Sequence, residues 1–268
     1  MNRYATRGPR RCLGQAFLTM AAAVLVWIPV AYAEEAPAPS DAPKSLEELL
    51  SRVDDSGRGR SSQAVIEMKV KTRRYTRSMR MEVWSKGTER SLIRLLEPAK
   101  DRGVATLKVK KDLWNYLPNT DRTMRVPSAM MGGAWMGSHF SNDDLVRESR
   151  LSEDYTFALA PGSPPLGSEQ VTVRCTPKPK TPVVWGHVDV VATKAGVPVR
   201  QEFYSEKGVK VRTFTYSDVR TIGGEPVPMK MEVAVHAKPN ESTVLVFHEL
   251  KLDPKLDDSL FSLQALRD

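Results

Sequence analysis

The chain has 268 residues, 41% of them hydrophobic, with 40 basic residues against 32 acidic ones and only two cysteines. That length suits one large β-rich domain or two small ones, and a chain of this size buries roughly 70% of its unfolded surface. Two cysteines exclude a disulfide framework, and a net charge of +8 spread along the chain, with no basic block interleaved with aromatics, gives no support for nucleic-acid binding.

The N-terminus reads as a secretory signal. Arg3, Arg7, Arg10 and Arg11 precede an apolar run from Leu13 to Val30, which ends in Ala31-Tyr32-Ala33 and then Glu34 and Glu35. A basic start, an apolar centre and a small-x-small site predict cleavage after Ala33, so residues 1–33 leave the mature protein and no membrane span remains. The ordinary secretion route fits better than the twin-arginine route, despite paired Arg10 and Arg11. Cys12 lies before the apolar run, so it cannot carry the lipid of a bacterial lipoprotein, and it departs with the signal. Half of the net charge belongs to the four leading arginines, which leaves a mildly basic mature chain.

Residues 34–44, rich in Pro, Ala and acid, read as a disordered leader, and 45–268 as one domain. Ser45 with Glu48 forms a capping box, and Leu46, Leu49, Leu50 and Val53 recur at the spacing of one helical face. Strands follow. Ile66, Met68 and Val70 share one face, Met79, Met81 and Val83 another, with period two. Residues 91–98 are nearly continuous in apolar side chains and are predicted to be covered on both sides. Turns at SKGTE, KKD, PNTD, EKG and TIGGEPVP mark hairpins, and 183–194 reads as a strand. Met229, Met231, Val233 and Val235 share a face near the end, and Cys175, on the parity of Val171 and Val173, reads as a buried core residue. About eleven antiparallel strands, two or three helices and no βαβ alternation predict an α+β fold: a strongly curved antiparallel sheet, with a closed barrel or a β-sandwich as alternatives.

Residues 128–150 break the pattern. Met130, Met131, Trp135 and Met136 stand among Gly132, Gly133 and Gly137, with no clean period. Methionine adapts its shape and glycine frees the backbone, so this stretch reads either as a lid over an apolar groove or as a buried loop closing one end of the core. NDDLVRES then predicts a short helix capped by Asn142.

Catalytic motifs are missing from the sequence: there is no Gly-x-Ser-x-Gly elbow, no His-Glu-x-x-His and no phosphate-binding glycine loop. None of His139, His187, His236 and His248 stands at metal-ligand spacing from another His or Cys, and the polar group after His139, Asn142 to Asp144, reads as a helix cap. No catalytic residue, metal or cofactor is expected. An envelope hydrolase is the weakest reading, since no nucleophile–base pair is visible.

Several stretches, MEVWSKGTERSLIRLLEPAKDRG, LWNYLPNTDRTMRVP and MMGGAWMGSHFSNDDLV, together with TPKPKTPVVWG, RQEFYSEKG and DDSLFSLQALR, resemble the outer-membrane lipoprotein-sorting protein family, related to the LolA and LolB lipoprotein carriers. The resemblance implies an incomplete β-barrel closed by short helices and a lid loop. It implies a periplasmic chaperone-like carrier that holds lipid or lipoprotein acyl chains on the way to the outer membrane, with an inner-membrane exporter as donor. On that reading Met79, Met81, Val83, Ile93, Leu95, Trp114 and Tyr116 line the cavity. Met130, Met131, Trp135 and Met136 form the lid, and Gly132, Gly133 and Gly137 its hinge. The alternative is a non-catalytic protein-interaction module of an envelope transport machine.

Overall fold

The computed structural model describes residues 42–146, 150–181 and 183–267. The signal peptide expected over 1–33, and all but the last three residues of the leader expected over 34–44, lie outside them. The chain opens with helix α1 (Leu46–Asp55). Ser45 Oγ accepts the Glu48 amide at 3.1 Å, and the Glu48 carboxylate reaches back to the Lys44 amide at 2.8 Å, a capping box shifted by one residue on its return arm. Leu49, Leu50 and Val53 are buried, as the helical stripe requires.

Among the described residues thirteen strands follow, two more than the alternation suggested. β1 (Ser61–Lys71), β2 (Thr76–Lys86), β3 (Arg90–Glu97), β4 (Ala105–Val109), β5 (Asp112–Leu117) and β6 (Arg122–Arg125) make one meander. β7 (Tyr155–Leu159), β8 (Gln170–Pro177), β9 (His187–Thr193), β10 (Pro198–Tyr204), β11 (Lys210–Ile222), β12 (Glu225–Val235) and β13 (Ser242–Leu252) make another. The first strand pairs with the last, from Ser62 opposite Leu252 to Lys71 opposite Ser242, so both meanders join in one sheet ordered β6-β5-β4-β3-β2-β1-β13-β12-β11-β10-β9-β8-β7. Every neighbouring pair is antiparallel. The expected strand over 183–194 begins only at His187; Val183 and Trp185 instead pack beside the helix-covered core.

The sheet curls without closing. Trp135 donates its indole N–H to Thr106 on β4, and Asp144 grips Arg212 on β11, six strands away in sheet order. On a flat sheet those strands would lie roughly 30 Å apart. The short segment that touches both is folded back on itself, with the Trp135 amide bonded to the Phe140 carbonyl at 2.8 Å. β6 and β7 form the two free edges, which makes the architecture the incomplete barrel expected.

Apolar side chains fill three clusters. On the concave face, α1 covers Val171, Val173, Cys175, Val188 and Val190 of β8 and β9. Burial, with the charges of Asp54 and Asp189 nearby, pushes the Cys175 thiol up to about 12, as befits a core residue. Also on the concave face, β1, β2, β3 and β12 present Ile66, Met68, Met79, Met81, Ile93 and Val233 to Trp135 and Phe140. On the convex face, Leu92, Leu107 and Tyr116 lie under the C-terminal residues Phe261 and Leu266. β3 is therefore covered on both sides, as its continuous apolar run predicted. The C-terminal strap is tied down by Asp258 to Lys86 at 2.6 Å and to Arg90 at 2.9 Å, and by Arg94, which donates to the Ala265 carbonyl. Among the described residues no helix is long and apolar enough to cross a membrane.

The strap supplies one wall of a core, so truncating its anchor should be felt globally. Phe261→Ala is expected to lower the unfolding free energy by about 3–5 kcal/mol in a urea titration. Leu263→Ala, at a side chain 50% exposed, should stay within about 0.5 kcal/mol of the parent. Equal effects would mean that the strap is not part of the core.

Candidate functional site

The two free edges are consecutive in sequence, so the connection from β6 to β7 has to span the open side of the curl. It carries two short helices, α2 (Asn142–Val146) and α3 (Leu151–Asp154). The glycine-rich part is a tight, self-bonded loop. Ala134 bridges Ser141, the Asn142 amide donates to the Gly133 carbonyl at 2.9 Å, and the Asp143 amide to the Met131 carbonyl at 2.8 Å. α2 is capped by Ser141, one residue before the Asn142 expected: Ser141 Oγ accepts the Asp144 amide at 3.1 Å, and Asp144 accepts the Ser141 amide at 2.8 Å. That reciprocal pair satisfies two amides, which Asn142, bonded instead to the Met130 carbonyl, does not. The end of the predicted helix, residues 147–149, lies outside the described residues.

Four contacts hold this segment over the concave face. Trp135 Nε1 donates to Thr106 Oγ1 at 3.3 Å. The His139 amide donates to Thr243 Oγ1 at 3.0 Å, and the His139 ring meets Thr243 at 2.8 Å and Glu241 at 3.4 Å. Tyr75 donates its phenol to the Gly137 carbonyl at 2.8 Å. Gly137 sits at φ +71°, and a Cβ there would lie 2.7 Å from the Tyr75 oxygen, so both conformation and space demand glycine.

The fourth contact is the most strongly built. The Arg212 guanidinium reaches both carboxylate oxygens of Asp144, at 2.7 and 2.8 Å, while its carbon lies 4.6 Å from the ring centres of Trp185 and Phe203 and 4.8 Å from Phe214. Such a fork-to-fork pair set among ring faces combines charge, geometry and cation–π attraction. Burial, the largest single influence, raises the Asp144 carboxyl, but the bonds and charge of Arg212 and the two bonds to Ser141 outweigh it and hold the group below its ordinary value. At the far end of the connection, Asp54 of α1 accepts the amides of Leu151 and Ser152 and the Ser152 hydroxyl at 2.8–3.1 Å. There burial outweighs the hydrogen bonds and the nearby Arg150, and the Asp54 carboxyl is raised.

The predicted cavity residues divide. Met79, Met81, Val83, Ile93 and Leu95 do share the concave face with Trp135 and Met136. They form packed core in this state, Met79 being wholly buried. Trp114 and Tyr116 lie on the opposite face, under the C-terminal strap. The register explains it: Asn115 of β5 faces Thr106, which Trp135 touches, so its neighbours Trp114 and Tyr116 point away. Met130 is 61% exposed and Met131 half-buried, and neither joins the apolar cluster; Phe140 and Leu145 take that role.

The open volume lies next to the packed half. A cavity of about 310 Å³ sits between the end of α1 and β10 to β13, walled by Val53, Phe203, Tyr216, Met231, Phe247 and Leu250. That is at the small end of the ~300–1,000 Å³ range of ligand sites. Its polar groups are Asp54, Ser56, Arg58, Gln201 and the Tyr216 phenol, whose pKa burial raises. A β-bulge makes this wall. His248 is the extra residue opposite Val65 and Ile66, so Phe247 and Leu250 both face inward, opposite Ile66 and Ala64. The sequence signal for Tyr216 was the Phe214–Tyr216 alternation, and for Arg212 a charge on that same apolar parity. Among the described residues no group of three His, Cys, Asp or Glu side chains could hold a metal ion.

A family model described as uncharacterized-protein-like matches residues 87–268. None of the curated proteins matches the chain. Three solved structures share the fold. A DUF1329 family protein from Desulfovibrio piger has a TM-score of 0.72 and 22% identity, covering 82% of this chain and 97% of that one. A domain from Vibrio parahaemolyticus, described as an outer-membrane lipoprotein-sorting protein, has a TM-score of 0.69 and 24% identity over 83% of this chain and 98% of its own. A LolA superfamily protein from Nitrosomonas europaea has a TM-score of 0.66 and 24% identity over 82% and 98%.

The lowered Asp144 carboxyl ties stability to acid. Its contribution is complete above the ordinary carboxyl value of 3.8 and disappears as pH falls through the lower folded value. Asp144→Asn should therefore cost about 2–3 kcal/mol in urea unfolding at neutral pH. The gap to the parent should close as pH drops below 3.8; a gap that stays constant would show that the pair contributes nothing.

Proposed function

The chain belongs to the family matched across residues 87–268 and has a LolA-like fold, and from that premise we propose that it is a periplasmic carrier or binding protein for lipid or lipoprotein acyl chains. The observation that carries the reading is an apolar concave face left open between two consecutive edge strands, with a cavity of about 310 Å³ beside the segment that spans the opening. The signal pattern of residues 1–33 supports export, with cleavage after Ala33, and an inner-membrane exporter would be the donor. The role is binding and transfer, without catalysis.

Physical chemistry limits how such a carrier works. Complete burial of a sixteen-carbon chain gains roughly 13 kcal/mol at about 0.8 per methylene, and several chains held so deeply would hardly leave. The structure supports partial enclosure. The cavity admits part of a chain, and the face under the lid is filled until the lid residues Trp135 and Met136 withdraw. Exchange then consists of swapping side-chain contacts for cargo contacts, which keeps the net affinity moderate. The hydrogen bonds of Tyr75, His139 and Arg212 set how often the segment lifts.

The packing of Met79 and Met81 against the lid also favours a second reading, a solid interaction module of an envelope machine. Co-purifying lipid separates the two. Organic extracts of protein purified without detergent should contain stoichiometric lipid or acylated peptide by mass spectrometry; a clean extract together with no uptake of fluorescent fatty-acid analogues leaves the interaction module.

The lid makes a kinetic prediction with two signs. A Cβ at Gly132 meets nothing within 4 Å, so Gly132→Ala stiffens the segment without a clash and should slow loading and release of an acyl probe several-fold. Gly137→Ala breaks the Tyr75 contact and should speed both. Stopped-flow exchange rates identical to the parent in both variants would remove the lid from the mechanism.

A further inference from the structure

We infer that Arg212 is the recognition point for the anionic headgroup of an acyl-chain amphiphile, a carboxylate or a phosphate, and that Asp144 occupies its place in the closed state. The inference rests on the carrier reading above and adds a headgroup site to it.

An arginine on the inward parity of β11 is out of place in a purely apolar face. Its neighbours on that parity are Phe214 and Tyr216, and it is itself 9% exposed. Burying a guanidinium costs several kcal/mol, and a leucine would fill the same space without that penalty. Its carboxylate partner comes from no sheet strand; it comes from α2, on the segment that spans the opening. The three rings of Trp185, Phe203 and Phe214 belong to β10, β11 and the approach to β9, so they hold the guanidinium whether or not Asp144 is there. The Nε hydrogen is buried and has no partner among the described residues, so the cation has donor capacity that Asp144 does not use.

Phe203 links this cation to the cavity. Its ring lies against the guanidinium and also lines the open volume. A chain in the cavity and an anion on Arg212 therefore share contact with one ring. A carboxylate reproduces the fork-to-fork pairing of Asp144, and a phosphate offers a third oxygen for Nε. Either anion has to displace Asp144, so taking up cargo releases the strongest contact that holds the segment down.

The test compares three ligands of one chain length by calorimetric titration: oleate, 1-oleoyl lysophosphatidate and neutral monoolein. The parent protein should bind at least one of the anions tenfold or more tighter than monoolein. Arg212→Gln should bring the anions and monoolein to one common affinity, and Arg212→Lys should restore only part of the preference. Asp144→Asn should tighten anion binding several-fold more than it tightens monoolein binding, because the resident carboxylate is gone; this arm decides the matter if Arg212→Gln does not fold by circular dichroism. Equal affinities for anionic and neutral ligands, a preference that survives Arg212→Gln, or an unchanged Asp144→Asn overturns the inference while the carrier stands. Failure of all three ligands to bind removes the carrier reading and the headgroup site together. The better-bound anion identifies the source as carboxylate or phosphate.

Discussion

The pairing of the first strand with the last governs the rest of the molecule. β1 and β13 lie side by side at the centre of the sheet, through a ladder that runs from Ser62 to Lys71. Once those strands are neighbours, each meander can only grow outward, and the two outer edges must be β6 and β7. Consecutive strands at opposite edges need a connection across the mouth of the curl. The spanning segment is thus a topological necessity, and Trp135, His139 and Asp144 on it tie it to the sheet.

Much of this architecture is legible in the chain. Period-two alternation gives most of the strands, the turn residues give the hairpins, and the Ser45–Glu48 box gives the helix. What alternation leaves open is register, because parity is local while register is not. Trp114 and Tyr116 alternate as any half-buried strand does, and nothing nearby tells which face the C-terminal strap will cover. The bulge at His248 puts Phe247 and Leu250 on one face although they are an odd number apart, which no alternation rule anticipates. The Asn142 cap was a matter of one residue, settled by which side chain could close a reciprocal pair. Met130 and Met131 have the chemistry of an apolar cover, but Met130 is exposed and neither joins the apolar cluster.

The candidate site was only half readable, for a different reason. Its apolar components announce themselves by pattern, but its charged pair joins residues 68 positions apart. A lone arginine on an apolar parity and an acid in a helix-capping sequence each have ordinary explanations. Only the fold brings them together, and only the ring faces of Trp185, Phe203 and Phe214 show that the arginine is held in place by more than its partner.

The central β1–β13 seam has a further consequence for engineering. Joining the chain across that seam and opening it within the β6–β7 connection would give a circular permutant whose strands occur in the same order in sequence as in the sheet. Every pairing would join strands adjacent in sequence, the β13–β1 one through the strap and α1, contact order would fall, and folding would be expected to accelerate accordingly. The spanning segment would become two free tails. Such a permutant would cut the tether across the opening and show how much of the sheet's curl stands without it.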